Sequence, residues 1–283
     1  MLHSLLQYET AIRLTAFFGV LALVAGAEFL FPRRRLTVSK LRRWTSNLGI
    51  VFLNTALVRV LLPATAAGFA LFAGDNGWGI FNYFDMPAWF AIVASVVILD
   101  FAIYLQHVMF HAVPALWRLH RMHHADLDFD VTTGARFHPI EIILSMLIKF
   151  AVIAVIGAPV AAVIIFEVLL NATSMFNHAN LRLPLAFDRW LRLFVVTPDM
   201  HRVHHSIEDY ETNSNFGFNL PWWDRLFGTY KPQPDAGHEA MTIGIRDFRD
   251  PKLASDLPGM LILPFRGRVT GYAINRREWG GKS

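Results

Sequence analysis

Long apolar runs separated by short polar segments occupy the first two thirds of the chain. Residues 11–31 form one run of the length that a helix needs to cross a bilayer, since a hydrocarbon core of about 30 Å takes roughly 20 residues. Residues 48–73, interrupted by Arg59 and Pro63, predict a second span, and residues 88–108 predict a third. A cleaved signal peptide is the alternative for the first run, but positive charge follows that run instead of preceding it.

Two shorter apolar runs follow, at residues 140–156 and 160–176. Each is near the lower limit for spanning, and Gly157-Ala158-Pro159 between them indicates a tight reversal. The pair predicts a helical hairpin that crosses the bilayer or only enters it. Together the runs predict an all-α integral-membrane bundle of about four to five spans or half-spans, with a cytosolic, histidine-rich helical cap.

Positive charge indicates the orientation of these spans. Six Lys and Arg residues lie between Arg33 and Arg43, whereas none lies between Arg59 and Arg118. Cytoplasmic loops retain positive charge, so we expect the first linker to be cytoplasmic and the loop at residues 74–86 to lie outside. The third span then returns to the cytoplasm, and the protein is predicted to be multi-pass with its histidine-rich face cytoplasmic.

Two features beyond the hairpin fit the same arrangement. Residues 188–196 alternate Arg with Trp and aliphatic side chains, which is typical of a short helix in the membrane interface. Residues 259–265 form a second apolar patch.

Composition agrees with a membrane protein and limits the chemistry. Hydrophobic residues make up 54% of the chain and charged residues only 17%, below the roughly 25% of ordinary globular domains. No cysteine is present, which excludes disulfides, thiolate metal sites and iron–sulfur clusters. The net charge is +4, and six of the 26 Lys and Arg residues lie in one stretch beside an apolar segment, which argues for a membrane flank and against nucleic acid as a partner.

Ten of the twelve histidines lie in one part of the chain, between His107 and His205. They occur as HxxxH, as two HxxHH patterns and as two single residues at the ends of the hairpin; i, i+3 and i+4 positions share one helix face. The ten predicted metal ligands are His107, His111, His120, His123, His124, His138, His178, His201, His204 and His205. His3 and His238 stand apart, and we expect them to be ordinary hydrogen-bonded or interfacial side chains.

A cluster of ten imidazoles is best explained by bound metal, because without it the buried nitrogens would lack partners. One ion takes four to six ligands, so eight to ten imidazoles predict two ions. Imidazole suits iron, zinc, copper and nickel alike, so the ligand type leaves the metal open. A two-metal hydrolase and a metal transporter remain alternatives, although HExxH is absent and transporter ligands usually lie near mid-membrane.

The joint pattern resembles the fatty acid hydroxylase and sterol desaturase superfamily of membrane enzymes. The resemblance rests on HxxxH at His107, HxxHH at His120 and at His201, and extends to the segments 136–141, 177–180 and 223–229. It covers roughly residues 88–230. On this basis we divide the single membrane domain 1–283 into N-terminal spans at 1–87, a catalytic region at 88–230 and a cytosolic or interfacial tail at 231–283.

The resemblance implies an oxidoreductase with two Fe ions, which zinc can replace in purified members, and O2 as oxidant. The substrate would be a membrane lipid, such as a fatty acyl, sterol or sphingoid compound, that is hydroxylated or desaturated at an unactivated C–H bond. The haem-binding His-Pro-Gly-Gly sequence is missing, because Ile140 follows His138-Pro139. A separate reductase, ferredoxin or cytochrome-type donor would therefore supply the electrons.

Acidic residues near the motifs are candidates to orient the metal ligands, since ligand histidines usually donate their second N–H to a carboxylate or carbonyl. Glu141 and Asp224 are preferred because they lie inside the resembling motifs. Asp100 lies on one stripe of the third span with Tyr104 and His107, about 10 Å from the latter. An ion pair between Asp100 and Arg59 is the structural alternative, and it is favoured slightly.

Overall fold

The computed structural model describes residues 2–84, 86–269, 272 and 274. Within them the chain folds into helices joined by short loops, and only two isolated β-bridges occur, Pro32 with Leu181 and Ser206 with Ile243. The first half contains α1 (Leu2–Leu30), α2 (Lys40–Leu61), α3 (Ala66–Asp75), α4 (Ile80–Tyr83), α5 (Ala88–Ala112) and α6 (Pro114–His124).

The second half begins with the hairpin α7 (Pro139–Ile156) and α8 (Val160–Asn177) and continues in short helices. These are α9 (Leu185–Leu191), α10 (Pro198–His204), α11 (Asp209–Thr212), α12 (Trp222–Leu226), α13 (Gly237–Ala240), α14 (Pro251–Ala254) and α15 (Leu257–Ile262). Two 3₁₀ turns cover Thr133–Ala135 and Leu263–Phe265.

Five segments are long and apolar enough to cross a membrane: Leu6–Leu30, Lys40–Tyr83, Ala88–Ala112, Pro139–Ile156 and Val160–Asn177. The predicted all-α membrane bundle is therefore confirmed. The second span differs in detail, because Lys40–Tyr83 consists of three helices, α2 to α4, and not of one interrupted helix.

Prolines and one glycine set the breaks between these helices. Leu62 precedes Pro63 and is extended (φ −106°, ψ 136°), as a residue before proline must be, so α2 ends there. Val113 before Pro114 has the same conformation and turns the chain from α5 into α6. Gly157 ends α7 in the left-handed region (φ 70°), and the reversal leads directly into α8 as the sequence predicted.

The two largest apolar clusters among the described residues lie in different parts of the molecule. The first lies among the spans, where Leu99 of α5, Phe150 and Ile153 of α7 and Phe166 of α8 are buried together. The second lies in the cap: Ile50, Trp117, Met122, Met260 and Leu263 pack against one another. Because Met260 and Leu263 belong to the C-terminal segment, residues 257–265 are part of the cap core.

Candidate metal centre

Nine of the ten predicted histidines form two groups whose ring nitrogens lie within 4.8 Å of one another, and all nine are buried. We call them the five-histidine group and the four-histidine group. The five-histidine group is His107, His111, His120, His124 and His204, and the four-histidine group is His123, His178, His201 and His205.

Local helix geometry produces this arrangement. The last turns of α5 carry His107 and His111, and the bend at Val113 folds α6 back against α5, so that the histidines of α6 face them. α10 brings the second HxxHH pattern to the same place, and Thr197 caps its start by accepting a hydrogen bond from the backbone N–H of Met200. Adjacent residues on a helix point about 100° apart, so neighbours such as His123 and His124 enter different groups.

The environment of His178 is that of a cation-binding site. Its Nε2 lies 3.1–3.2 Å from the Nε2 atoms of His123, His201 and His205. A neutral imidazole has one N–H, and those of His178 and His123 are directed from Nδ1 to the backbone carbonyls of Ser174 and Arg136. Both Nε2 atoms then carry lone pairs, which face each other in a buried site. A metal ion that binds both lone pairs would make this contact favourable.

The five-histidine group repeats this pattern. The Nε2 atoms of His107 and His120 are 3.1 Å apart, and the Nδ1 of each has another acceptor, the carbonyl of Phe216 or the carboxylate of Glu141. The Nε2 atoms of His111 and His124 are also 3.1 Å apart. His204 Nε2 is buried with no hydrogen-bond partner, while its Nδ1 is 2.7 Å from the carbonyl of Ser214.

These distances fit a first-row metal. With metal–nitrogen bonds of about 2.0–2.1 Å, two ligands at right angles are roughly 3.0 Å apart and two tetrahedral ligands roughly 3.4 Å apart. Burial lowers the pKa of His120 and of His178 to about 3, and it holds the pKa of the other cap histidines in both groups well below 6.5. The imidazoles are therefore neutral and can offer lone pairs, so the residues present fit two metal ions.

Glu141 lies where the sequence placed a carboxylate partner for a ligand. Its Oε1 is 2.7 Å from His120 Nδ1, and its side chain is buried in the first turn of α7. Most other partners of the histidines are backbone carbonyls, which a sequence pattern does not reveal. The exception is Asn213, whose Oδ1 is 3.0 Å from His111 Nδ1.

Asp224 contacts no histidine directly but holds the loop that does. It accepts hydrogen bonds from the backbone N–H groups of Phe216 and Gly217 and from the hydroxyl of Thr229, at 2.7–2.8 Å. The Phe216 carbonyl in turn lies 2.8 Å from His107 Nδ1. Burial raises the pKa of Asp224 to about 6.

Asp100 supports the same loop, and the expectation that it pairs with Arg59 is wrong. Its carboxylate accepts hydrogen bonds from Trp223 Nε1 at 2.8 Å and from the backbone N–H of Asn219 at 3.3 Å. Among the described residues no ion pair joins it to Arg59. The indole and the backbone amide bond the two oxygens of the Asp100 carboxylate, so an ion pair with Arg59 of α2 is not required.

His138 is the predicted ligand that the structure does not bring to either group. It caps the start of α7, where its Nδ1 accepts a hydrogen bond from the backbone N–H of Ile140, and its Nε2 is 3.3 Å from the carbonyl of Leu261. A capping side chain points along the helix start instead of across the cap, which separates it from the other nine. His238 is buried, and its Nε2 lies 3.6 Å from Asp199 Oδ2.

A buried ionic network that the sequence did not reveal braces the loop after α6. Arg43 is fully buried and donates to both carboxylate oxygens of Asp126 at 2.8 Å and to Asp130. Asp126 also faces Arg136 at 3.5 Å. Because His124 precedes this loop and the Arg136 carbonyl faces His123, Arg43 fastens α2 to both histidine groups.

Two phenylalanine rings cover both groups. Phe218 lies 5.7 Å from His107 and 5.9 Å from His201, between ring centroids, and Phe137 lies 6.2 Å from His120 and 4.5 Å from His123. The two phenylalanine rings are 6.5 Å apart. Each ring therefore lies beside at least one histidine of each group, so the site has an apolar wall.

Membrane-length helices that support nine buried, converging histidines define a multi-pass membrane protein with a histidine-rich site that could hold metal ions. Residues 92–229 match the family model of the fatty acid hydroxylases. This region contains all nine histidines, and the resemblance to the fatty acid hydroxylases inferred from the motifs is confirmed there.

Three relatives show which proteins this chain is similar to. An ornithine lipid hydroxylase of Rhizobium tropici is 31% identical over 191 residues, which are 68% of this chain and 55% of the relative. The human alkylglycerol monooxygenase is 28% identical over 186 residues, 62% of this chain and 39% of the relative. A fatty acid hydroxylase of Lecanicillium is 30% identical over 156 residues, 50% of this chain and 42% of the relative.

The chain spans about half or less of the length of these relatives. No solved structure gives a significant match.

Proposed function

We propose that this protein is an O2-dependent lipid hydroxylase with two iron ions, one in each histidine group. The observation that carries the proposal is the convergence of His178 Nε2 on three other Nε2 atoms, repeated by the paired Nε2 atoms of the five-histidine group. The relatives named as lipid hydroxylases and monooxygenases support the reaction class. Desaturation at the same carbon remains the second outcome of the same chemistry.

Redox metals would supply the oxidising power that side chains lack for an unactivated C–H bond. The chain's own residues hold the site in one geometry: Glu141, Asn213 and the carbonyls of loop residues fix the imidazole rings through Nδ1. Phe137 and Phe218 exclude water and offer an apolar surface to a methylene chain. Placement of that chain at angstrom precision would determine which hydrogen is removed.

We propose a membrane lipid as the substrate, since the site joins the ends of membrane-length helices. A separate reductase, ferredoxin or cytochrome-type protein would deliver the electrons. The histidine groups would face the cytoplasm, a proposal that rests on the basic residues between Arg33 and Arg43.

The test is to purify the protein anaerobically in detergent, measure metal per chain by mass spectrometry and follow O2 uptake after adding reductant and a lipid extract. We expect two irons per chain and O2 uptake that requires lipid. A protein that binds no metal although its histidines are intact would contradict the metal centre. Bound metal with lipid cleavage that needs neither O2 nor reductant would favour a two-metal hydrolase instead.

A transporter is disfavoured by position. Ion ligands of transporters usually lie near mid-membrane, whereas most of the histidines lie near the ends of α5, α6 and α10. Metal uptake into sealed vesicles that contain the protein would contradict this ranking.

A further inference from the structure

Two short segments far apart in the sequence expose large apolar side chains next to each other at the edge of the cap. One comprises α9 and the residues after it, and the other comprises α12 and Phe227. We name this surface the collar, and its exposed members are Leu185, Phe187, Trp190, Leu193, Phe194, Trp222, Leu226 and Phe227.

The two segments are fastened to each other and not merely adjacent. Trp222 Nε1 donates to the carbonyl of Leu193 at 2.7 Å, and Arg225 donates to the carbonyl of Arg192 at 3.3 Å. On the inner side a buried ion pair joins Arg192 to Asp188, and Arg192 also donates to the carbonyl of Pro232 at 2.9 Å. The collar therefore has an ion-paired, polar underside and an apolar outer face.

The collar reaches far down the third span. The Phe227 ring lies 5.8 Å from that of Phe101 and 5.6 Å from that of Tyr104, between centroids. At 1.5 Å per residue these positions are about 16 Å and about 12 Å below the end of α5 at Ala112. The tip of α12 is thus held beside a part of α5 that is long and apolar enough to lie in the bilayer.

The charges around the collar are one-sided. In residues 182–194 and 221–228 the exposed charged side chains are Arg182, Arg189 and Arg225, while the acids Asp188 and Asp224 are buried. Trp with Arg at the boundary of an apolar surface is the pattern of side chains that lie at the headgroup level of a bilayer. Anionic lipid headgroups match such a basic rim.

We propose that the collar is a membrane-docking surface: Leu226 and Phe227 enter the hydrocarbon, α9 lies at the headgroup level, and the three arginines contact anionic lipid. The surface continues into the loop that serves the site, because Val196 N–H donates to the carbonyl of Asn219 at 3.0 Å. Lipid contact at the collar thereby braces the segment that bonds His107. This proposal needs the membrane assignment but not the proposed reaction.

The absence of cysteine allows a direct test. Spin labels are placed at Phe194→Cys and Leu226→Cys, with Leu147→Cys, exposed on α7, as the lipid control and Asp247→Cys, exposed after α13, as the water control. The full chain is reconstituted in nanodiscs of phosphatidylcholine with phosphatidylglycerol. Collision of each label with O2, which partitions into lipid, is compared with collision with a water-soluble nickel chelate.

We expect the Leu226 label to favour O2 as strongly as the Leu147 label, and the Phe194 label to lie between the two controls. The proposal is overturned if the label at either collar position collides with O2 and with the nickel chelate in the same proportion as the label at Asp247. Labels shielded from both reagents overturn it too, because they would indicate a protein contact.

The arginine rim has its own readout. Replacing phosphatidylglycerol by phosphatidylcholine should shift the Phe194 label toward water, and Arg182→Gln with Arg189→Gln should remove that shift. A shift that persists unchanged in the double variant overturns the role of these arginines.

Discussion

His120 Nδ1 lies 2.7 Å from Glu141 Oε1, which joins α6 to the first turn of α7 at the edge of the five-histidine group. Both side chains are buried, so water does not compete for this contact. The carboxylate fixes the ring so that Nε2 faces His107, and its negative charge offsets part of the charge that a metal would bring to an all-imidazole site.

Replacing Glu141 should weaken metal binding in two steps. Glu141→Gln retains an oxygen that can accept the hydrogen bond but removes the charge, so we expect metal to bind the five-histidine group about tenfold more weakly. Glu141→Ala removes both the hydrogen bond and the charge, so we expect about hundredfold weaker binding. Metal per chain during competition with a chelator measures this. Glu208→Gln, at an exposed carboxylate, is the matched control, and equal loss in both would contradict the role of Glu141.

Asp100→Asn should destabilise the loop that bonds His107. The amide offers one oxygen to two donors, Trp223 Nε1 and the Asn219 N–H, so one donor loses its partner at a cost of about 1–3 kcal/mol. We expect a lower unfolding temperature and weaker metal retention. Arg59→Gln should not restore either property, because Asp100 is not its partner; recovery in the double variant would show that the two charges are coupled.

How far the sequence predicts the structure differs between the helices and the site. The length of the apolar runs predicts the spans, and the i, i+3 and i+4 spacing of the histidines predicts that they share helix faces. The sequence does not predict which histidine joins which group, because this depends on how α5, α6 and α10 cross. For example, His204 and His205 are neighbours but belong to different groups.

Arg43 shows a second limit of sequence reasoning. It lies in a basic stretch that predicts a cytoplasmic membrane flank, yet its side chain is fully buried between Asp126 and Asp130. A charge pattern does not distinguish an arginine in a headgroup layer from one that binds two distant carboxylates. The pattern of side chains also does not identify the backbone carbonyls that orient the histidines.

His178 and His138 make a matched pair for testing the ligand set. His178→Ala removes the atom on which three Nε2 atoms converge, so we expect the loss of one of two metals per chain. His138→Ala removes only a helix cap, which costs about 1 kcal/mol, and should leave both metals. Metal per chain, measured by mass spectrometry of the purified variants, distinguishes the two outcomes. Loss of a metal in His138→Ala would show that His138 is a ligand.

Arg43→Gln should destabilise the protein strongly, by about 3–5 kcal/mol, because it leaves buried carboxylates without their main partner. The control is Arg42→Gln at the neighbouring position, where Arg42 forms an exposed ion pair with Asp256. This variant should change stability little. Thermal unfolding in detergent measures both. Similar unfolding temperatures for the two variants would contradict a structural role for the buried network.

The buried His238 should make the protein less stable in acid. Burial lowers the pKa of His238 to about 3, despite the nearby carboxylate of Asp199 and against the usual value of 6.5. Between these two pH values the unfolded chain binds a proton that the folded protein does not. The free energy of unfolding therefore decreases as the pH falls from about 6.5 toward 3. His238→Gln cannot titrate, so its unfolding temperature should fall less between pH 7.5 and pH 5 than that of the unaltered protein. Equal falls in both proteins would mean that the acid sensitivity arises at other groups, such as the histidines of the metal centre.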